Sequence, residues 1–319
     1  MEKKLTFNDI ARHIFSDEKE FIKFTKAVSE ITKFYEIPEE EEKGRLLDAK
    51  SFIEAAEGDL KSAKILYESG IYPTAIYHLQ QAVEKFVKAY MIQYFVMNKK
   101  DIEHYVKHDS PKAFFRLIER FKNILSINFS ILEKADIFDS QIPKISIQEA
   151  HHLENALKVS KQQIAKMNSK DIDNKINLAY KSLDIYENQG NQEIIKAKVA
   201  DFLATFRQEL TEIEVSNRDQ RRISEAIAII DKVREKLDGT FFITLRHHSN
   251  ISALYILSLI TYPHVTFARY PNSFLPPDKY DMNLGIVQCF GKITDLLDKI
   301  VISWKIDLSQ DKTLNQGEE

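Results

Sequence analysis

Between Ile71 and Met91 apolar residues recur at helical spacing: Ala75, Ile76, Leu79, Ala82, Val83, Phe86, Val87, Tyr90 and Met91. That period marks a helix with a packed face. A polar row runs down the same helix through His78, Gln81, Lys85 and Lys88, spaced three, four and three. Side chains three and four apart are neighbours on a helix surface, so the row is one stripe of imidazole, amide and ammonium groups. Glu84 precedes Lys88 by four, the favourable order for a helical ion pair, and on a surface such a pair contributes little.

The same reading predicts helices on either side. From about 46 to 69, Leu46, Leu47, Phe52, Ile53, Ala56, Leu60, Ala63, Ile65 and Leu66 form an apolar stripe, and Gly70 is placed to end the helix in the left-handed conformation. Pro73 suits the first turn of the central helix, and so short a connection makes the two helices antiparallel neighbours. The stretch 98–107 reads as polar, and Ser110-Pro111 then signals a helix start ahead of Ala113, Phe114, Leu117, Ile118 and Phe121. Upstream, two helices are expected near 7–15 and 17–36, and Glu39 to Glu42 reads as a solvated acidic linker. Residues 125–245 carry sparser apolar positions in segments near 147–168, 172–188, 192–215 and 219–237, broken at Gly190-Asn191 and Asp238-Gly239. An exposed hairpin or small satellite bundle fits them. Ile251 to Tyr262 is densely apolar, a proline-rich loop follows, and a last helix is expected from Met282 to Trp304.

Composition narrows the class. Only 8 Gly and 8 Pro punctuate 319 residues, which favours long helices over many short strands. The content of 44% apolar and 29% charged residues is that of a globular chain. A single cysteine excludes an internal disulfide and a CxxC metal site, which suits a reducing cytoplasm. The opening MEKKLTFNDI lacks an apolar signal core and no long apolar run is present, so neither secretion nor membrane insertion is expected. A net charge of −3 argues against an overall basic nucleic-acid binder and leaves a local patch open.

Three elements then coincide. Ala56-Glu57-Gly58-Asp59-Leu60 leads to Ala63 and Leu66-Tyr67-Glu68-Ser69-Gly70; the helix YHLQQAVEKFVKAYM precedes His108-Asp109; and Ala268-Arg269-Tyr270-Pro271 stands shortly before the last helix. Together they resemble the HEPN family (higher-eukaryote and prokaryote nucleotide-binding domain). The resemblance implies an all-α, antiparallel up-and-down bundle, divided here into 46–124 and 246–306 by the helical insertion 125–245. An N-terminal helical extension at 1–45 and a disordered tail at 307–319 flank it. It further implies a homodimer, a nucleotide or RNA ligand, and a nucleotidyltransferase-type or antitoxin partner in a toxin–antitoxin or phage-defence setting. Many family members are metal-independent ribonucleases with His four to six positions after Arg. No Arg in this chain has His at that spacing, and Arg246 is followed directly by His247 and His248. The leading expectation is therefore a binding or accessory protein. A ribonuclease with a non-standard site is the alternative, and a structural dimerisation or docking module is the third.

The candidate residues divide accordingly. Lys85, Lys88, Gln81, Arg269 and Tyr270 are the phosphate- or nucleotide-binding candidates; Arg269, His78 and His108 are the catalytic ones. Arg269 beside Tyr270 can fork onto a phosphate, or it can close a helix end. The His78–Lys88 stripe is expected to face either the ARYP segment or a twofold mate, as a binding wall or merely as the polar side of an amphipathic helix. His108 can act as a base oriented by Asp109, while Asp109 equally complements the helix dipole beside it. Arg218, Arg221 and Arg222 read as a solvated face. The adjacent pairs His151-His152 and His247-His248 point to different faces and make poor chelates, so no metal and no cofactor are expected.

Overall fold

The computed structural model describes residues 39–93, 99–114, 161–187, 189–212, 240–270 and 274–314, with Leu117 and scattered positions in 220–231. The expected N-terminal helices, His151-His152, Arg218, Arg221, Arg222 and Pro271 lie outside the described residues, as do the side chains of His247 and His248. All regular structure among the described residues is helical, and the fold is an all-α bundle. No described helix is long and apolar enough to cross a membrane.

The chain forms two compact units. The larger is assembled from residues 39–119, 146–184 and 246–319, the smaller from 1–38, 120–145 and 185–245. In the larger unit, α1 (Glu39–Glu68) and α2 (Tyr72–Gln93) form the antiparallel pair that the short connection predicts. The acidic run Glu39 to Glu42 is the first turn of α1 rather than a linker. Gly70 ends α1 with φ 74°. The Ile71 N–H donates to the Leu66 carbonyl (2.9 Å) and the Gly70 N–H to that of Tyr67 (3.0 Å), the paired bonds of a Schellman cap.

The packed stripe of α1 is narrower than its apolar content suggests. Ala49, Ile53, Ala56, Leu60 and Ala63 are buried, whereas Leu47 and Ile65 are 69% and 53% exposed. The buried set advances four, three, four and three residues, and 47 and 65 fall off that line. Three alanines in the stripe let α2 approach closely. On α2 every apolar position from Ala75 to Met91 named above is buried, and so are Gln80, Glu84 and Lys88. A helix enclosed on nearly all sides is the centre of its unit. The stretch 99–107 is ordered: a short helix Lys99–Asp101 runs into a π turn, Ile102–Val106, whose end residues are buried.

Ser169–Glu187 forms α3, whose part up to Asp184 belongs to the larger unit. Within the smaller unit, α4 (Gln189–Glu212) buries Val199, Leu203 and Leu210, and Arg207 pairs with Asp231 at 2.7 Å. The helix therefore starts ahead of Gly190-Asn191 instead of after it. The densely apolar stretch belongs to a longer helix, α5 (Thr240–Thr261), followed by the short α6 (His264–Phe267). The last helical stretch is in two pieces, α7 (Gly285–Gln288) and α8 (Phe290–Leu314), with Cys289 at the joint. Thus α8 continues through residues expected to form a tail. Its apolar row, Phe290 through Trp304, is buried, and Trp304 packs 5.4 Å from Tyr90 of α2.

Close contacts join α3 to the last helices. A Cβ at Gly285 would stand 2.8 Å from the Ser169 backbone nitrogen, so only glycine fits this close approach. Lys292 bonds Asp173 and Lys299 bonds Asp184, both at 2.6 Å. Residues 169–184, placed by sequence pattern in the insertion, are thus part of the larger unit.

Candidate functional site

Helix α2 presents two carboxylate-centred clusters. In the first, Asp59 of α1 takes His78 Nδ1 at 2.9 Å on one oxygen and Lys85 Nζ on the other. Asp59 is 15% exposed, His78 29% and Lys85 28%. Three of the four residues in the polar row are engaged otherwise than by the ARYP segment or a twofold mate. His78 and Lys85 turn to the neighbouring antiparallel helix, and Gln81 donates to the Gln80 side chain at 2.6 Å.

The second cluster surrounds Glu84. Its side chain is 3% exposed, and it accepts Lys88 Nζ at 2.7 Å, His108 Nδ1 at 3.2 Å and Gln80 Nε2 at 3.1 Å. The Glu84–Lys88 pair is therefore buried and not the surface pair its spacing suggests. Other elements of the unit close over α2, and the desolvated carboxylate keeps three donors to offset the cost of burial. His108 follows the π turn and Lys107, whose φ of 52° is unusual for a residue with a Cβ. Such local strain persists only where its surroundings impose it. The imidazole is 76% exposed with Nδ1 held, so Nε2 is directed away from its carboxylate. The orienting group is Glu84, while Asp109 bonds Lys112 at 3.3 Å. Ser110 sits at the start of the following helix, but its hydroxyl bonds Ser258 of α5 at 2.7 Å.

Three residues that the sequence pattern does not single out border this cluster. Tyr262 faces Asp109 and Glu84; burial, then those charges, push its hydroxyl up to about 12, so it is a proton donor at neutral pH. Lys161 lies 4.5 Å over the Tyr262 ring, and burial lowers the pKa of its ammonium. His264 is fully buried against the Tyr280 hydroxyl at 2.7 Å, and desolvation, then Lys161, depress its pKa to about 3. Their sequence signal is weak, since none falls in a periodic polar row.

Arg269 meets α2 through Tyr77, a residue outside the predicted stripe. Its guanidinium lies 4.9 Å from the Tyr77 ring and 5.0 Å from the Tyr270 ring, and Nη1 reaches the Tyr77 hydroxyl at 3.4 Å. The other neighbour of Tyr77 is His78, ring to ring at 5.4 Å. Arg269 and the Asp59-held imidazole thus flank one aromatic ring. Among the described residues no carboxylate pairs with Arg269, and no group of His, Cys, Asp and Glu could hold a metal ion.

The family model of the HEPN domain matches residues 49–153, which include most of α1, all of α2, the π turn and both carboxylate clusters' α2 residues. Over these residues the chain is similar to the HEPN domain. A stretch of 44 residues is 54% identical to a Methanocaldococcus jannaschii protein named "Putative toxin MJ1304". That stretch is 14% of this chain and spans 29% of the relative. No solved structure matches the chain. The HEPN match extends past 124, the limit that pattern alone set for the first part of the bundle.

Proposed function

We propose that this HEPN-like domain acts in a toxin–antitoxin-related role by binding a nucleotide or RNA at the face formed by Arg269, Tyr77 and Tyr270. The observation that carries the reading is Arg269 itself: an exposed guanidinium backed by two aromatic rings, with no carboxylate among the described residues to neutralise it. Such a group offers a planar fork to a phosphate, and the rings offer surfaces for a base. Lys85 and Lys88 each carry an internal counter-ion, so they contribute to the field around the site less than Arg269 does. The relative's name supports the toxin-related setting. A homodimer and an antitoxin or nucleotidyltransferase-type partner belong to the same proposal.

The test mixes purified protein with single nucleotides and with pooled RNA and follows thermal stability together with RNA integrity. Ligand that binds only the folded state raises the melting temperature. Stabilisation that disappears in Arg269→Ala is expected. If no nucleotide or RNA stabilises the fold, the reading falls and a dimerisation or docking module takes its place.

A second reading is favoured by one contact. His78 has Nδ1 fixed by Asp59 and shares Tyr77 with Arg269, which places a base with a free Nε2 beside a phosphate clamp. RNA cleavage lost in both His78→Ala and Arg269→Ala would select this ribonuclease. Intact RNA alongside ligand-induced stabilisation would select binding alone.

A further inference from the structure

The turn that carries Arg269 also holds Lys161. Lys161 Nζ lies 3.4 Å from the Thr266 hydroxyl, and the Thr266 carbonyl accepts the N–H groups of Arg269 (3.3 Å) and Tyr270 (3.1 Å). The two cations therefore stand against one turn of chain. Neither has a carboxylate at ion-pair distance among the described residues. The nearby acids are otherwise engaged: Asp109 with Lys112, and Glu84 with Lys88 and His108. Aromatic rings alternate with the cations, Tyr77 and Tyr270 at Arg269, Tyr262 at Lys161. Unneutralised cations interleaved with aromatic faces match a single-stranded phosphodiester chain better than a lone phosphate.

We propose that Lys161 is a second phosphate contact, so that the site takes a single-stranded oligonucleotide and Arg269 and Lys161 hold different phosphates of it. This rests on the nucleotide-binding reading above and extends it from one phosphate to a chain. Lys161 is half-buried, and burial disfavours its charge by more than the nearby Asp109 restores, so a phosphate would add the counter-charge still wanting. The contact is to backbone, so it is indifferent to base sequence.

Fluorescein-labelled hexauridylate and hexathymidylate, titrated with the full chain over a range of salt, test this, with UMP displacement as the one-phosphate arm. Lys161→Ala should weaken hexanucleotide binding by roughly fivefold and flatten the salt dependence by about 0.7 in the log–log slope, the value for one phosphate on a single strand. UMP affinity should stay unchanged, Lys161→Arg should recover the hexanucleotide, and Arg269→Ala should lose both ligands. Equal binding of the two hexamers assigns the contact to the backbone alone; preference for hexauridylate adds a contact to the 2′-hydroxyl. Melting curves of each variant establish that its fold is intact. The proposal is overturned if Lys161→Ala keeps the wild-type hexanucleotide affinity and salt slope, or if it weakens UMP and hexamer alike. Should the wild type bind neither UMP nor a hexamer, the reading beneath it fails and this one with it.

Discussion

Replacing Glu84 with Gln would test whether the buried carboxylate holds the larger unit together. Glu84→Gln keeps the size of the side chain and removes the charge facing Lys88, whose side chain is only 11% exposed. The ammonium is then left in a dry setting without its 2.7 Å partner. Breaking one side of a buried pair costs about 3–5 kcal/mol, because the remaining charge is uncompensated. The lower end applies here, since Gln can still accept from Lys88 through its carbonyl. The bond to the exposed His108 adds little to the total. For a unit of this size about 3 kcal/mol corresponds to a fall of roughly 10 °C in melting temperature. Trp304 is the chain's single tryptophan and lies buried in α8, so its fluorescence reports the larger unit specifically. Removing both charges in Glu84→Gln/Lys88→Met should recover much of the loss, giving a coupling energy of about 2 kcal/mol. An unchanged melting temperature in the single variant, or strict additivity in the double one, would refute the argument that the pair is buried and coupled.

Other perturbations read different contacts. His264 is neutral in the folded chain with its pKa at about 3, so its stability contribution is complete above the unfolded value near 6.5 and declines as pH falls towards 3. Near pH 5 the loss is about 2 kcal/mol; urea denaturation at pH 7 and pH 5 should show it in the wild type, and a His264→Phe variant with the same pH sensitivity would contradict it. Gly285→Ala forces a Cβ against the Asn168 and Ser169 backbone and should cost about 1–3 kcal/mol, read as a lower urea midpoint. The Cys289 thiol is pushed up to about 12 by burial and then by Asp173, so it should react with a thiol reagent only after unfolding; modification of the folded chain at neutral pH would show the site to be open.

Much of the bundle was legible because α2 and α8 repeat their apolar residues without interruption, and a buried helix of that kind has one interpretation. The site was legible only in part. Asp59 had a usable signal: it stands eleven residues before Gly70, level with position 81 eleven residues after it in an antiparallel pair. His78 and Lys85 lie about one turn either side of that level, which is where the structure brings them. Glu84 misled, because a four-residue spacing to Lys88 looks the same on a surface helix and on an enclosed one. Its burial is decided by residues far away in sequence. The π turn was missed for a related reason: Ile102 and Val106 alone are buried in an otherwise polar run, and a five-residue hydrogen-bond ring has no apolar period to betray it. Tyr77 went unnoticed because it falls between the apolar and the polar rows.

The Lys64–Asp298 bond spans 234 positions of chain, and the helices it joins share the core of one unit. During synthesis α1 and α2 leave the ribosome well ahead of their third wall, α8. At about 5–20 residues per second the wait is on the order of ten to forty seconds. Through that interval the part of the apolar girdle of α2 turned away from α1 has no permanent cover. The aromatic–cation face of Tyr77 and Arg269 likewise has no existence until the second half of the chain arrives. The order of the gene thus delays assembly of the face until residue 269 has been made. A nascent or prematurely ended chain has the hairpin but not the site.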